Sequence, residues 1–214
     1  KTITYRELRE LAYMGATVLH EDAIFPVRAA GIPVNIKNTN QPEDRGTMIV
    51  SESAEHCDHI ITGIAGKKGM SVINIEKDKM NSEIGFGKNV LRALEKSNVS
   101  FEHMPSGVDT MSVVIATEAL AGKETAIIDE IKSRVHPDQI YIESNLALIA
   151  VVGRGMKSAR GTAAILFSAL ADARVNIKMI DQGSSELNII VGVEEEDFEV
   201  AIKAIYKRFI GINQ

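Results

Sequence analysis

The stretch Gly161-Thr162-Ala163-Ala164-Ile165-Leu166-Phe167-Ser168-Ala169-Leu170-Ala171-Asp172-Ala173-Arg174-Val175 decides the fold, because its landmarks occur twice in the chain. Gly85, Ala93-Leu94 and Val99 precede Gly161, Ala169-Leu170 and Val175 at one constant interval. The same interval relates Met80 to Met156 and Ser112 to Asn188. Agreement of several landmarks at one spacing marks a degenerate internal repeat.

Each copy reads strand, helix, strand, strand, helix. In the first, Met70–Lys77 is a strand, and the helix near Ile84–Lys96 sets Phe86, Val90 and Leu94 on one stripe. Val99–Met104 and Thr110–Ala116 read as strands around the turn chemistry of Pro105-Ser106-Gly107. A helix bearing Ile127, Ile128, Ile131 and Val135 follows, then a strand-like Ile140-Tyr141-Ile142. The sum is βαββαβ, a four-stranded antiparallel sheet with two helices on one face. The second copy offers Leu146–Val152, a helix near Arg160–Ala173, strands near Val175–Ile180 and Leu187–Val193, and a final helix. That helix carries Phe198, Ala201, Ile202, Ile205 and Phe209, and no fourth strand follows it. Ile60–Ala65 is an unused strand ahead of the first copy. If it completes the second sheet, the first copy lies inserted inside the second and no raw edge is left.

The first fifty residues differ in character. Thr4-Tyr5-Arg6-Glu7 is a capping box opening a helix that buries Leu8, Leu11 and Ala12 and ends at Gly15. A second helix is expected over Asp22–Ala30, with strands at Pro33–Lys37 and Thr47–Val50 and a polar loop between them. Two helices and two short strands bury little, so this segment reads as the end of a domain. The chain opens on Lys1 without a methionine and reads as part of something longer.

Composition narrows the function. Of the 214 residues, 45% are hydrophobic and 25% charged, the mix of a globular fold. A net charge of −5 with 5% aromatics argues against nucleic-acid binding, since an RNA-binding βαββαβ sheet displays paired aromatics and a basic rim. The single cysteine, Cys57, allows no intramolecular disulfide and no cysteine-rich zinc site, which fits a reducing cytoplasm. No apolar run approaches the roughly 18 residues that span a bilayer, so no membrane is expected.

Few motifs carry chemistry. Ser82-Glu83-Ile84-Gly85-Phe86-Gly87-Lys88 places two glycines at a helix start, where backbone amides and the helix dipole favour a carboxylate or phosphate. Tight helix–sheet packing would explain Gly85 equally well. The stretch lacks the ending of a P-loop, and Gly153-Arg154-Gly155 lacks the third glycine of a dinucleotide fingerprint. Ser100 to Asp109 is the densest polar stretch. There Glu102, His103 and Asp109 suit a cationic ligand, or simply an exposed strand and turn. His20, His56, His59, His103 and His136 are scattered, and neither a metal site nor a catalytic constellation is expected.

The residues carry a family resemblance. Gly15-Ala16-Thr17-Val18-Leu19-His20, Ile32-Pro33-Val34, Lys37-Asn38-Thr39 and Gly46-Thr47 resemble the closing part of the aspartate kinase catalytic domain. The two repeats, ending with Gln182-Gly183-Ser184-Ser185-Glu186-Leu187-Asn188-Ile189, are similar to its paired ACT regulatory domains. Phe101–Asp109 is most similar to aspartate kinases of clostridia and related bacteria. The resemblance implies an α+β chain of two ferredoxin-like βαββαβ ACT domains, the first inserted into the second, preceded by the tail of an amino-acid-kinase α/β domain. The implied parts are 1–50 as the catalytic remnant, 51–57 as linker, 67–145 as ACT domain 1, and 58–66 with 146–214 as ACT domain 2.

It further implies a parent enzyme that phosphorylates the β-carboxylate of L-aspartate with ATP and magnesium. The phosphate-binding and aspartate-binding motifs of that family have no match here, so this chain alone is expected to be inactive and to hold no cofactor. Of the nucleotide contacts, Thr17 and Val18 fall at matching positions, the family usually having lysine at Thr17. The regulatory site matches more fully. In similar enzymes lysine lies between two first ACT domains, its carboxylate against the helix-start amides. The matching positions are Met80, Ser82, Glu83, Gly85, Phe86 and Gly87, with Ser100, Phe101 and Glu102 on the strand side and Asp109 and Thr110 beyond the hairpin. Glu102 supplies an anion for the ammonium, while Glu83 at the helix mouth works against the carboxylate. The implied partners are L-lysine, alone or with L-threonine, and a second copy of the chain paired through the first ACT sheet. The rival reading is a stand-alone module that dimerises without a small ligand.

Overall fold

In the computed structural model, residues 2–16, 19, 21–52 and 59–212 are described. By compactness the chain divides into two units. One comprises Lys1–Lys67, Leu148–Val191 and Glu196–Gln214, the other Lys68–Ala147 and Gly192–Glu195. The N-terminal segment therefore shares a unit with most of copy 2, and copy 1 forms the other.

In the first unit, β1 (Thr2–Thr4) leads into α1 (Tyr5–Tyr13), and the expected capping box is present in full. Helix α2 (Glu21–Ala29) and strands β2 (Val34–Ile36) and β3 (Thr47–Val50) follow. β3 is central, parallel to β1 and antiparallel to β2, so the segment gains a strand that its sequence had not suggested. Ile3, Tyr5, Leu8, Ile24 and Ile49 form its small core, and the Tyr5 hydroxyl donates to the Ile32 carbonyl at 2.5 Å. The expected linker falls largely outside the described residues.

The repeat takes the form its landmarks implied, with two differences. Ile60–Ala65 and Met70–Lys77 are not separate strands: one strand, β4, runs Gly63–Glu76. After α3 (Phe86–Lys96), β5 (Thr110–Ala116), a single turn α4 (Thr117–Leu120) and α5 (Glu124–Val135), Ile140–Ile142 and Leu146–Val152 likewise fuse into β6 (Gln139–Val152). Each long strand contains one residue at positive φ, Gly69 (76°) and Asn145 (62°), and the two are again separated by the interval of the repeat. The Asp138 N–H donates to the Glu76 carbonyl at 2.9 Å and the Thr62 N–H to the Val152 carbonyl at 2.7 Å, so β4 and β6 run antiparallel. The chain leaves copy 2 along β4 and returns along β6, as expected for an insertion. Copy 2 is completed by α6 (Thr162–Asp172), β7 (Met179–Asp181), β8 (Asn188–Glu194) and α7 (Phe198–Ile212), with β8 between β6 and β7.

The second difference is the expected strand Val99–Met104. Only an irregular edge forms, in which the Glu102 N–H donates to Val114 (2.8 Å), the Val114 N–H to His103 (2.9 Å) and the Ser112 N–H to Pro105 (2.9 Å). Pro105 has no N–H to give the ladder, and the pairing slips by a residue, as at a bulge. Val175–Ile180 shortens similarly to β7, which begins at Met179.

In each copy the helices bury an apolar stripe. In copy 1, Val90 and Leu94 of α3 meet Ile73 and Ile75 of β4, Val113 and Ile115 of β5, and Ile127 and Ile131 of α5. Across the top of these helices Glu130 accepts from Lys96 (2.6 Å) and Arg134 (2.7 Å), and those hydrogen bonds hold its carboxyl below the usual carboxylate range. In copy 2, Leu166 and Leu170 of α6 are fully buried, as are Ile205 and Phe209 of α7.

Candidate functional site

The amides of the loop joining β4 to α3 are held by two segments, Val108-Asp109 and Asp138. Lys77 N–H donates to the Asp109 carbonyl (2.9 Å), Lys79 N–H to the Asp109 carboxylate (2.8 Å), and Asn81 N–H to the Val108 carbonyl (3.1 Å). Asp138 accepts from the Asp78 N–H at 2.7 Å. A 3-10 turn over Met80–Ser82 carries the chain to Gly85, whose φ of 86° makes it the N-cap of α3. A Cβ added at Gly85 would touch nothing within 4 Å. Tight packing therefore does not explain this glycine, and the left-handed backbone does.

The residues expected at the helix mouth are brought together, in different roles. Met80 and Phe86 are buried in the core, whereas Ser82 and Gly85 are exposed and Gly87 half-buried. Glu83 makes a salt bridge with Lys77, a residue that sequence reading had passed over. The Lys77 ammonium also donates to the Val135 carbonyl at 2.5 Å and lies 5.8 Å from the centre of the Phe86 ring. Asp109 joins the group through the loop backbone, and Thr110 begins β5 opposite Glu76. The strand side lies farther along. Glu102 bonds at Val114, four residues beyond Thr110, or about 13 Å along an extended strand. Ser100 is exposed and Phe101 is 42% exposed beside it. Glu102 thus lies farther along the sheet edge than the Thr110 end of β5. Thr17, Val18, Cys57, His20 and His56 lie outside the described residues, and among those described no group of His, Cys, Asp or Glu could hold a metal ion.

The matching loop of copy 2 is occupied by its own chain. A Cβ at Gly153 would fall 2.5 Å from Ile61 Cα, and one at Gly155 would fall 2.5 Å from the His59 carbonyl oxygen. Arg154 between them faces α1. Its N–H donates to Glu7 at 3.2 Å and its guanidinium stands 3.7 Å from the same carboxylate. Glu7 is 1% exposed and also accepts from the Thr4 N–H and hydroxyl, each at 2.8 Å, and from the Thr62 hydroxyl. Burial pushes its pKa up, but the hydrogen bonds from Thr62, Thr4 and Arg154 together outweigh burial and hold it below the usual carboxylate range. One turn on, Glu10 accepts from the Asn188 side chain at 2.7 Å.

Two βαββαβ folds, one inserted in the other, define a tandem ACT-type region. Residues 149–209 match the ACT domain family. The chain is 43% identical over 208 residues to Aspartokinase 3 of Bacillus subtilis, covering 97% of this chain and 46% of that protein. The crystal structure of Clostridium acetobutylicum aspartate kinase superposes with a TM-score of 0.92 at 58% identity, over 98% of this chain and 48% of that one. E. coli aspartokinase III, solved in complex with lysine and aspartate in a T-state, shares the fold with a TM-score of 0.76 at 22% identity, over 98% of this chain and 46% of that one. The chain thus matches the C-terminal regulatory region of aspartokinases. It spans about half the length of these relatives.

Proposed function

We propose that this region senses an end-product amino acid on behalf of a cytoplasmic kinase that transfers phosphate from ATP, with magnesium, to L-aspartate, yielding 4-phospho-L-aspartate for lysine, threonine and methionine synthesis. The effector is L-lysine, alone or with L-threonine, held between the copy 1 folds of two chains. Its carboxylate meets the α3 mouth of one chain and its ammonium meets Glu102 of the other. Binding would shift the equilibrium toward a kinase-inhibiting arrangement.

The observation that carries this reading is the open start of α3, where the cap Gly85 offers no side chain and an added Cβ would meet nothing within 4 Å. Glu102 bonds at Val114, four strand residues beyond Thr110 on the same edge, and a two-fold arrangement of edges can bring the mouth of one chain to Glu102 of the other. Ile84 (101% exposed), Val108 (64%) and Phe101 (42%) supply apolar surface for a second copy to cover. That surface would equally serve a dimer without a ligand, and titration separates the two. Isothermal titration with L-lysine, then L-threonine, is expected to give about one site per chain, and Glu102→Ala is expected to weaken binding at least tenfold through loss of a charge-assisted contact. A folded dimer silent to both amino acids would favour the ligand-free module.

A further inference from the structure

Glu83 poses an electrostatic problem for any site at the start of α3. Helix α1 caps its Glu7 amide with the Thr4 hydroxyl, but the cap of α3 is Gly85, which has no side chain to offer. The first-turn amides of α3 make the mouth receptive to an anion, yet a glutamate stands two residues before the cap. Its unneutralised charge would repel an incoming carboxylate.

We infer that Lys77 is a positioning residue that makes the mouth of α3 receptive to a carboxylate by neutralising and immobilising Glu83. The inference rests on the reading of copy 1 as the amino-acid-binding copy. Three contacts fix the lysine: the Glu83 carboxylate, the Val135 carbonyl at the C-terminal end of α5, and the face of the Phe86 ring. The carbonyl end of one helix and the ring of the next favour a cation at this point irrespective of Glu83. The side chains are 22% and 33% exposed, so the pair is shielded from the solvent screening that makes most surface ion pairs negligible. Lys77 leaves β4 on one side of the loop and Glu83 lies on the other, so the pair also closes the loop over the 3-10 turn. The repeat sets Gly153 in the place of Lys77 and Ala159 in the place of Glu83, so copy 2 has neither charge. The device is therefore no requirement of the fold, which copy 2 adopts without it.

The test is a charge-rescue cycle read as L-lysine affinity by titration calorimetry on the whole chain, with Lys77→Met, Glu83→Gln, the double variant and Lys77→Arg. Lys77→Met is expected to weaken binding roughly ten- to hundredfold by leaving Glu83 uncompensated at contact range. Glu83→Gln and Lys77→Arg should stay within about threefold of the parent, and the double variant should recover to that same range. A purely structural lysine would not be rescued by removing its partner's charge. Unchanged affinity in Lys77→Met, or a double variant as weak as the single one, overturns the inference while leaving the site reading intact. If Lys77→Met does not fold, the comparison of Glu83→Gln alone with Lys77→Gln/Glu83→Gln decides: equal affinities support the role, and a further loss in the double variant overturns it. A parent chain that binds neither lysine nor threonine refutes the site reading itself, and the role of Lys77 falls with it.

Discussion

At Lys77, Lys79, Glu83 and Asp109 copy 1 has four charged side chains, and at the equivalent Gly153, Gly155, Ala159 and Ser185 copy 2 has none. The backbones around these positions agree. Gly85 and Gly161 cap their helices at φ of 86° and 87°, and Asn98 and Arg174 leave them at 51° and 58°. Val90, Leu94 and Val99 are buried where Leu166, Leu170 and Val175 are buried. What the fold demands is therefore present twice, and what differs answers to something else. In copy 2 the loop is closed beneath residues 59–62 and linked through Arg154 to α1. In copy 1 the same loop is exposed at Asp78, Lys79 and Ser82 and organised by charge. One copy docks the N-terminal segment, and the other, on the function proposed above, is left to meet a ligand.

The strongest way to break this comparison is to remove the docking carboxylate. Glu7→Ala removes a buried carboxylate that accepts from both Arg154 and Thr62, and about 3–5 kcal/mol of stability should be lost, measured by urea unfolding. These partners of Glu7 lie in the N-terminal segment and in copy 2, so lysine affinity should be unchanged. The effect has a pH signature. Because the folded carboxyl titrates below an unfolded glutamate, its contribution is complete above about pH 4.3 and is lost as pH falls through the folded value. The stability gap between parent and variant should be flat near neutrality and narrow in acid. A gap that widened in acid would refute the assignment.

Much of this was legible in the sequence, and the failures have physical causes. The constant interval of the repeat, the capping box at Thr4 and Glu7, and the helical stripes are local or periodic signals, and all appear in the structure. Gly66-Lys67-Lys68-Gly69 and Glu143-Ser144-Asn145 fall between the expected strands, but pairing along β4 and β6 carries both strands through them. Val99–Met104 has strand-forming residues, and Pro105 beside it spoils the ladder. The site divides the same way. Gly85 and the helix mouth announce themselves by type and spacing. Lys77 had a faint signal, a cation at a strand end six residues before an acid. The pairing of Glu7 with Arg154, 147 residues apart, had none, because only the folded chain brings them together.

A second test exchanges the character of the two loops. Gly153→Val would drive a side chain into Ile61 Cα at 2.5 Å and the Ile60 carbonyl oxygen at 2.6 Å, both backbone atoms with no rotamer to adjust. A loss of about 3 kcal/mol or more is expected in urea unfolding, with residues 59–62 losing hydrogen-exchange protection. The matching substitution in copy 1, Lys77→Val, meets no such wall. It should lower stability by only about 1 kcal/mol, the scale of a partly exposed ion pair, while still weakening lysine binding. Equal stability losses would mean that the loop of copy 1 is covered as well.

The smallest effect sharpens the comparison most, because it holds the fold constant and varies only the ligand. Gly85→Ala and Gly161→Ala each place a Cβ in open space at φ of 86° and 87°, so each should lower stability by about 1–2 kcal/mol through backbone strain alone, and by equal amounts. Their binding consequences should differ. Alanine at 85 relaxes toward negative φ by tilting the first turn of α3, which turns its amides away from an incoming carboxylate, and lysine affinity should fall several-fold. Alanine at 161 applies the same strain to α6 and should leave affinity unchanged. Urea midpoints that match alongside affinities that diverge would assign the binding role to the mouth of α3 itself. Matching affinities would mean that the two helix starts are equivalent, and that the charges around copy 1 serve only its surface.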